Sequence, residues 1–277
     1  TSVSVSPTAT TQYTLTATGG GGVATASVTV STYTLSVTIS PGSASLLVGG
    51  SQAFSGSVNP ANQGLSWSAT GGTMSGSTFT ATASGTFTVK VVSVEDSTKT
   101  ASATVTVAAV SVATPVPVPA TGQCYVGGTV SFAAQVAGAV NTGVTWSVNG
   151  GGSISATGVF TASSQGTWTV TATSVADPTK SATATVMVVP LVVTVLPASS
   201  IVKSGQTETL TASVTGPGTP SQGVTWSVVT ANGGTITTGG VYTAPATSKD
   251  GFQVITIRMQ SGDVIEVVAG AIQCPSK

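Results

Sequence analysis

The sequence predicts an all-β fold of tandem β-sandwiches, and three observations carry that expectation. Val and Thr abound; both branch at Cβ, which stiffens χ1 and suits the pleated surface of a strand. Apolar and hydroxyl-bearing residues alternate over long stretches, while no window of about 11 residues joins a 3.6-residue apolar period to helix caps. One pattern then recurs about every 80 residues, the size of a small domain.

Along the chain, residues 1–32 match only the last three strands of that pattern. Tyr13, Leu15 and Ala17 take the places that Phe87, Val89 and Val91 hold further on, 19–22 forms a hairpin tip and 24–30 is the closing strand. Nothing in 1–32 corresponds to the Trp-bearing half. Three strands without an opposing sheet leave an apolar face and a strand edge open, which proteins cover or pair. Tyr13, Leu15 and Ala17 are therefore the candidate polymer contact. Three origins of the gap stay open: residues upstream of this sequence, a cut inside the domain, or a surface donated by another copy. A donated surface makes a head-to-tail contact, which builds an open filament when its rotation does not close.

Residues 33–109 carry the pattern in full. QAFSGSV places Phe54 and Val58, GLSWS places Trp67, and GGTMSGSTFTA places Met74 and Phe79. In the last stretch Phe87, Val89 and Val91 alternate with Thr86, Thr88 and Lys90, and Ala101, Ala103, Val105 and Val107 with Ser102, Thr104 and Thr106. One face of each strand is thus dry and the other wet. VEDSTKT at 94–100 supplies the turn between them.

Residues 110–190 repeat the pattern after a stiff, Pro-alternating opening at 114–119: VSFAAQV with Phe132 and Val136, GVTWS with Trp146, GGSISATGVFTA with Ile154 and Phe160, and Trp168 where the previous copy has Phe87. Residues 191–277 do so again with ETLTASV (Leu210, Val214), GVTWS (Trp226) and GGTITTGGVYTA (Ile236, Tyr242). Trp67, Trp146 and Trp226, with Phe54, Phe132 and Leu210, are the expected core anchors. Burying an aromatic of that size contributes about 2–3 kcal/mol, and its indole N–H needs an acceptor inside.

Each full copy reads as about seven short strands with turn signals between them, the pattern of an immunoglobulin-like sandwich. The run VGG followed by an aromatic, then GLSWS or GVTWS, then FTA or YTA, and the closings SATVTV and TATVMV resemble the bacterial immunoglobulin-like domains of group 2, related to those stacked in invasin- and intimin-type adhesins. The resemblance covers 33–277 in three copies. It implies tandem immunoglobulin-like sandwiches at 33–109, 110–190 and 191–277, and it brings no catalytic residue with it.

Charge narrows the function. The 277 residues hold seven basic and seven acidic side chains and no His, and 1–89 and 100–176 hold no charge at all. General acid–base chemistry and imidazole ligation cannot be built in such stretches, so the expectation is a non-enzyme with no cofactor and no metal. Without a basic cluster there is no basis for nucleic-acid affinity. The longest apolar patch, 186–195, contains Pro190 and Thr194 and is far short of the about 20 residues a spanning helix needs, so no membrane insertion is expected. No leader is visible at Thr1, which implies that one has been removed or that the sequence starts beyond it.

Glu95, Asp96 and Lys99, like Asp177 and Lys180, read as capped turns; a calcium site wants about six to eight oxygens. In an extended string of sandwiches Cys124 and Cys274 lie too far apart for a bond, which tolerates Cα separations of about 4.4–6.8 Å. They are a candidate intersubunit disulfide, with two unpaired thiols, or a bond made by a folded-back fourth copy, as the alternatives. Arg258 with Asp263 or Glu266 is a candidate cross-strand pair. Ser and Thr on strand faces are candidate O-glycan sites. The expected role is a non-catalytic, exported subunit of an extracellular bacterial filament or surface appendage, a head-to-tail homopolymer. The alternative is an adhesin stalk that presents a ligand-binding tip at the cell surface.

Overall fold

The protein is described from a computed structural model, which covers residues 2–61, 64–229, 231–246, 251–259 and 267–274, the last two stretches as backbone strands only. Every helix-or-strand element among them is a strand. They gather into two compact units, Thr1–Ser111 with Ala137–Thr142, and Val112–Val136 with Gly143–Lys277.

The first unit opens with β1 (Thr11–Gly19) and β2 (Gly22–Val30), a two-stranded sheet by themselves. Residues 2–7 form no strand, so the three strands expected of 1–32 are two. Eight residues separate Val5 from Tyr13, as eight separate Phe79 from Phe87, so 2–7 holds the place of the strand bearing Phe79. In a full sandwich that strand pairs only within the opposing sheet, which has no counterpart over β1–β2 among the described residues.

A sandwich follows, built from β3 (Ser36–Ser40), β4 (Ser43–Leu46), β5 (Ser51–Ala53), β6 (Ser55–Asn59), β7 (Leu65–Ala69), β8 (Thr73–Ser75), β9 (Thr78–Thr80), β10 (Gly85–Ser93) and β11 (Thr100–Val107). One sheet runs β4-β11-β10-β7, with β4 parallel to β11 and the rest antiparallel. Facing it are the pair β3-β6 and the sheet β5-β9-β8. The second unit repeats the order of the first sheet twice, while the facing sheet of its first sandwich gains an edge strand, Val116–Val118, paired to Thr129–Ala133. Gln123–Cys124, Ser181–Val188, Gly166–Ser174 and Val144–Val148 make the first sheet of its first sandwich, and Ser200–Ile201, Val267–Cys274, Gly251–Met259 and Val224–Val228 that of its second.

Alternation decides what is inside. Val89, Val91 and Val105 of β10 and β11 are fully buried, as are Val170, Ala172 and Val186 in the equivalent hairpin of the next sandwich. Each buried Val contributes about 1.5–3 kcal/mol relative to exposure. Phe54, Phe132 and Leu210 are buried as well.

The three Trp side chains are not the deepest anchors. Trp67, Trp146 and Trp226 are only half-buried, and the fully buried aromatics are Phe79, Phe160 and Tyr242. Sheet order explains the difference. Each Trp sits on a strand at the margin of its sheet, paired on one side only, whereas Phe79, Phe160 and Tyr242 sit on strands flanked on both sides. The Trp rings close the rim; that of Trp146 tilts over Phe132 with centroids 6.4 Å apart. Tyr242 keeps its hydroxyl inside by donating to the Gly233 carbonyl at 2.6 Å.

The residue facing each hairpin differs in a way its surroundings record. Phe87 lies against Gly71, where an added Cβ would come within 2.5 Å of the ring. Trp168, larger and half-buried, lies in a cradle of Gly150, Gly151 and Gly166, and a Cβ on Gly151 would fall 2.0 Å from Nε1. That Nε1 donates to the Ser164 carbonyl at 3.3 Å.

Candidate assembly surface

In β1-β2 the register is Thr11↔Val30, Tyr13↔Val28, Leu15↔Ala26 and Ala17↔Ala24. Directly opposed residues share a face and successive ones alternate. Tyr13, Leu15, Ala17, Ala24, Ala26 and Val28 therefore make one apolar face. Gln12, Thr14, Thr16, Thr25, Ser27 and Thr29 make the other, where the Gln12 amide donates to the Ser27 hydroxyl at 3.4 Å.

The same ladder occurs three times. Phe87↔Val105, Val89↔Ala103 and Val91↔Ala101 repeat it in β10-β11, and Trp168↔Val186, Val170↔Ala184 and Ala172↔Ala182 in the next sandwich. What differs is cover. Val89 and Val105 are 0% exposed, whereas their counterparts Leu15 and Val28 are 72% and 61% exposed. Val3 and Val5 lean toward the bare face and with Tyr13, Leu15, Ala26 and Val28 line a shallow apolar groove. Val5 stands where Phe79 would, at 41% exposed instead of none. The sequence pattern picks out Tyr13, Leu15 and Ala17; Val3 and Val5 were legible only through the eight-residue spacing from Val5 to Tyr13.

The hairpin is joined to the sandwich by 31–35. Tyr33 donates its hydroxyl to the Glu95 carboxylate at 3.0 Å, and that bond holds the phenol above its ordinary pKa. At the neighbouring tip Asp96 accepts from the Thr98 amide at 2.9 Å and the Thr98 hydroxyl at 2.7 Å. Asp177 does the same with Thr179 at 3.0 and 2.6 Å. These bonds, made to the ionised form, hold both carboxyls below the ordinary Asp range, with the adjacent lysines adding less. Each acid is used inside its own turn, as an Asx cap.

Cys124 is 3% exposed, in the core of its sandwich with Val130, Phe132 and Phe160. Burial pushes the thiol pKa up, so it is protonated and a poor nucleophile. A thiol so enclosed meets a neighbouring chain only if that edge opens, and the other half of the expected intersubunit bond lies at Cys274. Cys274 ends its strand, and its side chain lies outside the described residues, as do those of Arg258, Asp263 and Glu266.

No family model matches the chain, and no curated protein does. Among solved structures it is similar to the I9–I11 tandem from titin, at 13% identity and a TM-score of 0.47, over 87% of this chain and all of that one. It is similar to invasin, a bacterial integrin-binding protein, at 14% identity and a TM-score of 0.30, over 96% of this chain and 65% of that one. It is also similar to the Escherichia coli adhesin FdeC, at 18% identity and a TM-score of 0.30, over 87% and 97% of the two chains.

Proposed function

We propose that this chain is a non-catalytic structural subunit of an extracellular bacterial filament or surface appendage, assembled head to tail, in which a neighbouring copy covers the apolar face of β1-β2. One observation carries the reading: a ladder buried in β10-β11 and again in Gly166–Ser174 with Ser181–Val188 is bare in β1-β2. A face of that kind is an interaction site or an aggregation liability. The scarcity of charge fits, since net charge is what keeps a subunit soluble and apart from its copies.

Electron microscopy of purified protein tests this. Long fibres from the wild type, and their loss in Leu15→Asp with the remaining sandwiches still folded, are the expected result. A wild type that stays monomeric at high concentration refutes it. The alternative role, an adhesin stalk, draws on the gathering of charge beyond residue 200, where Lys203, Glu208, Lys249, Asp250, Arg258, Asp263, Glu266 and Lys277 fall. It predicts single beaded rods, and binding to a surface receptor that removal of this charge abolishes.

A further inference from the structure

The hairpin tips of two successive sandwiches match bond for bond. Ser93 N–H donates to Lys99 O at 3.1 Å, Lys99 N–H to Asp96 O at 3.0 Å and Val94 N–H to Gly64 O at 2.9 Å. In the next copy Ser174 N–H donates to Lys180 O at 2.9 Å, and Lys180 N–H to Asp177 O and Val175 N–H to Gly143 O at 3.0 Å each. In both tips a buried Ser hydroxyl accepts from the Asp amide, and the Asp carboxylate accepts from the Thr two residues on. The turn is therefore complete without Glu95, whose place Ala176 takes. Yet Glu95 is one of only four charged side chains in residues 1–176, with Lys90, Asp96 and Lys99.

The joint that precedes this sandwich also departs from the pattern. Two residues, 108–109 or 189–190, lead from the last rung of one ladder at Val107 or Val188 to the first buried residue of the next sandwich, Val110 or Leu191. Between Val30 and Leu35 there are four, 31–34, and all are exposed. The short joints are stitched by backbone. Ala108 N–H donates to Leu46 O and Val189 N–H to Cys124 O, both at 2.9 Å. Near the first of them Val48 N–H donates to Gly138 O at 3.0 Å, in a parallel bridge of Val48 to Ala139. β1-β2 has no strand in the place of β4 to make such a bond, and among the described residues no backbone group of 31–34 bonds to the sandwich. Such a span is a hinge.

These two departures meet. Tyr33, carried by the longer joint, donates its hydroxyl to the Glu95 carboxylate at 3.0 Å, in a cleft walled by Thr34, Leu35, Asp96 and Lys99. Among the described residues it is the one side-chain hydrogen bond from 2–34 to the sandwich. One contact thus accounts for both the extra carboxylate and the extra length of chain.

We propose that Tyr33 and Glu95 are positioning residues, a latch that holds the hinge at 31–34 in one setting and so aims the bare face of β1-β2 at a neighbouring copy. This deepens the head-to-tail reading and rests on it. A face carried on a free hinge points in many directions, and the apparent affinity falls by the fraction of time it points correctly. The bond is exposed, which sets the scale of that loss at about two- to fivefold.

Spin labels at Thr16→Cys and Thr104→Cys, in the full chain with Cys274→Ser, report the setting of the hinge by pulsed dipolar spectroscopy below the assembly concentration; Cys124 is enclosed and stays unlabelled. The expected result is one narrow distance distribution, which Tyr33→Phe and Glu95→Ala broaden alike and the two together no further, since each removes the same bond. The critical concentration for fibres rises about two- to fivefold in each variant. Distributions that stay narrow in both variants, or broadening that adds in the double variant, overturn the latch whether or not fibres form. Broadening with an unchanged critical concentration overturns its role in aiming the face. Absence of fibres from the wild type overturns the head-to-tail reading and the aiming with it, while the distances still score the latch. Circular dichroism and a native thermal transition establish that each variant is folded before its outcome is scored.

Discussion

The matched pair Val105→Ala and Val28→Ala isolates what covers the hairpin. Val105 faces Phe87 and Val28 faces Tyr13, at the same rung of the same ladder. Each substitution removes two methyl groups, which at full burial costs about 2 kcal/mol for transfer and cavity together. Val105 is 0% exposed, so the whole cost falls on its sandwich. Amides of β10 and β11 that exchange through opening of that sheet speed up about 30-fold. Val28 is 61% exposed, so the isolated chain has gained roughly two-fifths of that burial, about 0.8 kcal/mol. Hydrogen exchange in β1-β2 then rises only about fourfold. The remaining 1.2 kcal/mol or so is available to a neighbour, and its loss raises the critical concentration for assembly about sevenfold. Hydrogen-exchange mass spectrometry and sedimentation of fibres at graded concentrations read the two quantities. Equal costs in the isolated subunit, or an unchanged critical concentration, refute the reasoning, because the face would then be covered by its own chain or by nothing.

Three further outcomes follow from the geometry. Tyr242→Phe leaves the Gly233 carbonyl buried without its donor and costs about 1–2 kcal/mol, read as a lower unfolding midpoint for the last sandwich with the others unmoved. The carboxyls of Asp96 and Asp177 are held below their ordinary range by bonds from Thr98 and Thr179, so each turn is at full strength above about pH 4 and weakens as pH falls through the depressed folded-state values. The Thr98 and Thr179 amide resonances should hold steady from neutrality down to that point and move only below it, and Asp96→Asn should abolish the movement at Thr98; a transition at an ordinary or raised pKa counts against the Asx bonds. In Cys274→Ser protein an aromatic disulfide reagent should find no thiol in the native state and one in guanidinium, since Cys124 is enclosed; rapid native labelling would show the core open.

Alternation made the faces of β10 and β11 legible from sequence, down to which Val side chains go to zero exposure, because strand period is a local property. The depth of the Trp side chains was not. Whether Trp67 lies at a margin and Phe79 at a centre depends on which strands flank each, and those partners lie elsewhere in the chain. The burial of Cys124 was not legible for the same reason: its short strand is parallel to Ser181–Val188, a pairing with a distant part of the chain. The bare face of the first hairpin was legible in Tyr13, Leu15 and Ala17, since three copies of one ladder could be laid side by side. The bridge from Val48 to Ala139 had no sequence signal, for it uses backbone groups alone.

Phe87 against Gly71 and Gly85, and Trp168 in the tighter cradle of Gly150, Gly151 and Gly166, have a consequence for biosynthesis. Near-identical modules made one after another are prone to exchange parts, because a hairpin emerging from the ribosome can enter the wrong partner before its own is complete. The indole of Trp168 does not fit the slot shaped for a phenyl ring, and a phenyl ring in the cradle shaped for an indole leaves a void. Side-chain size thus acts as a proofreading key, and equalising the two, with Phe at 168, should raise the yield of cross-paired, aggregation-prone chains even where the correctly folded product is hardly less stable.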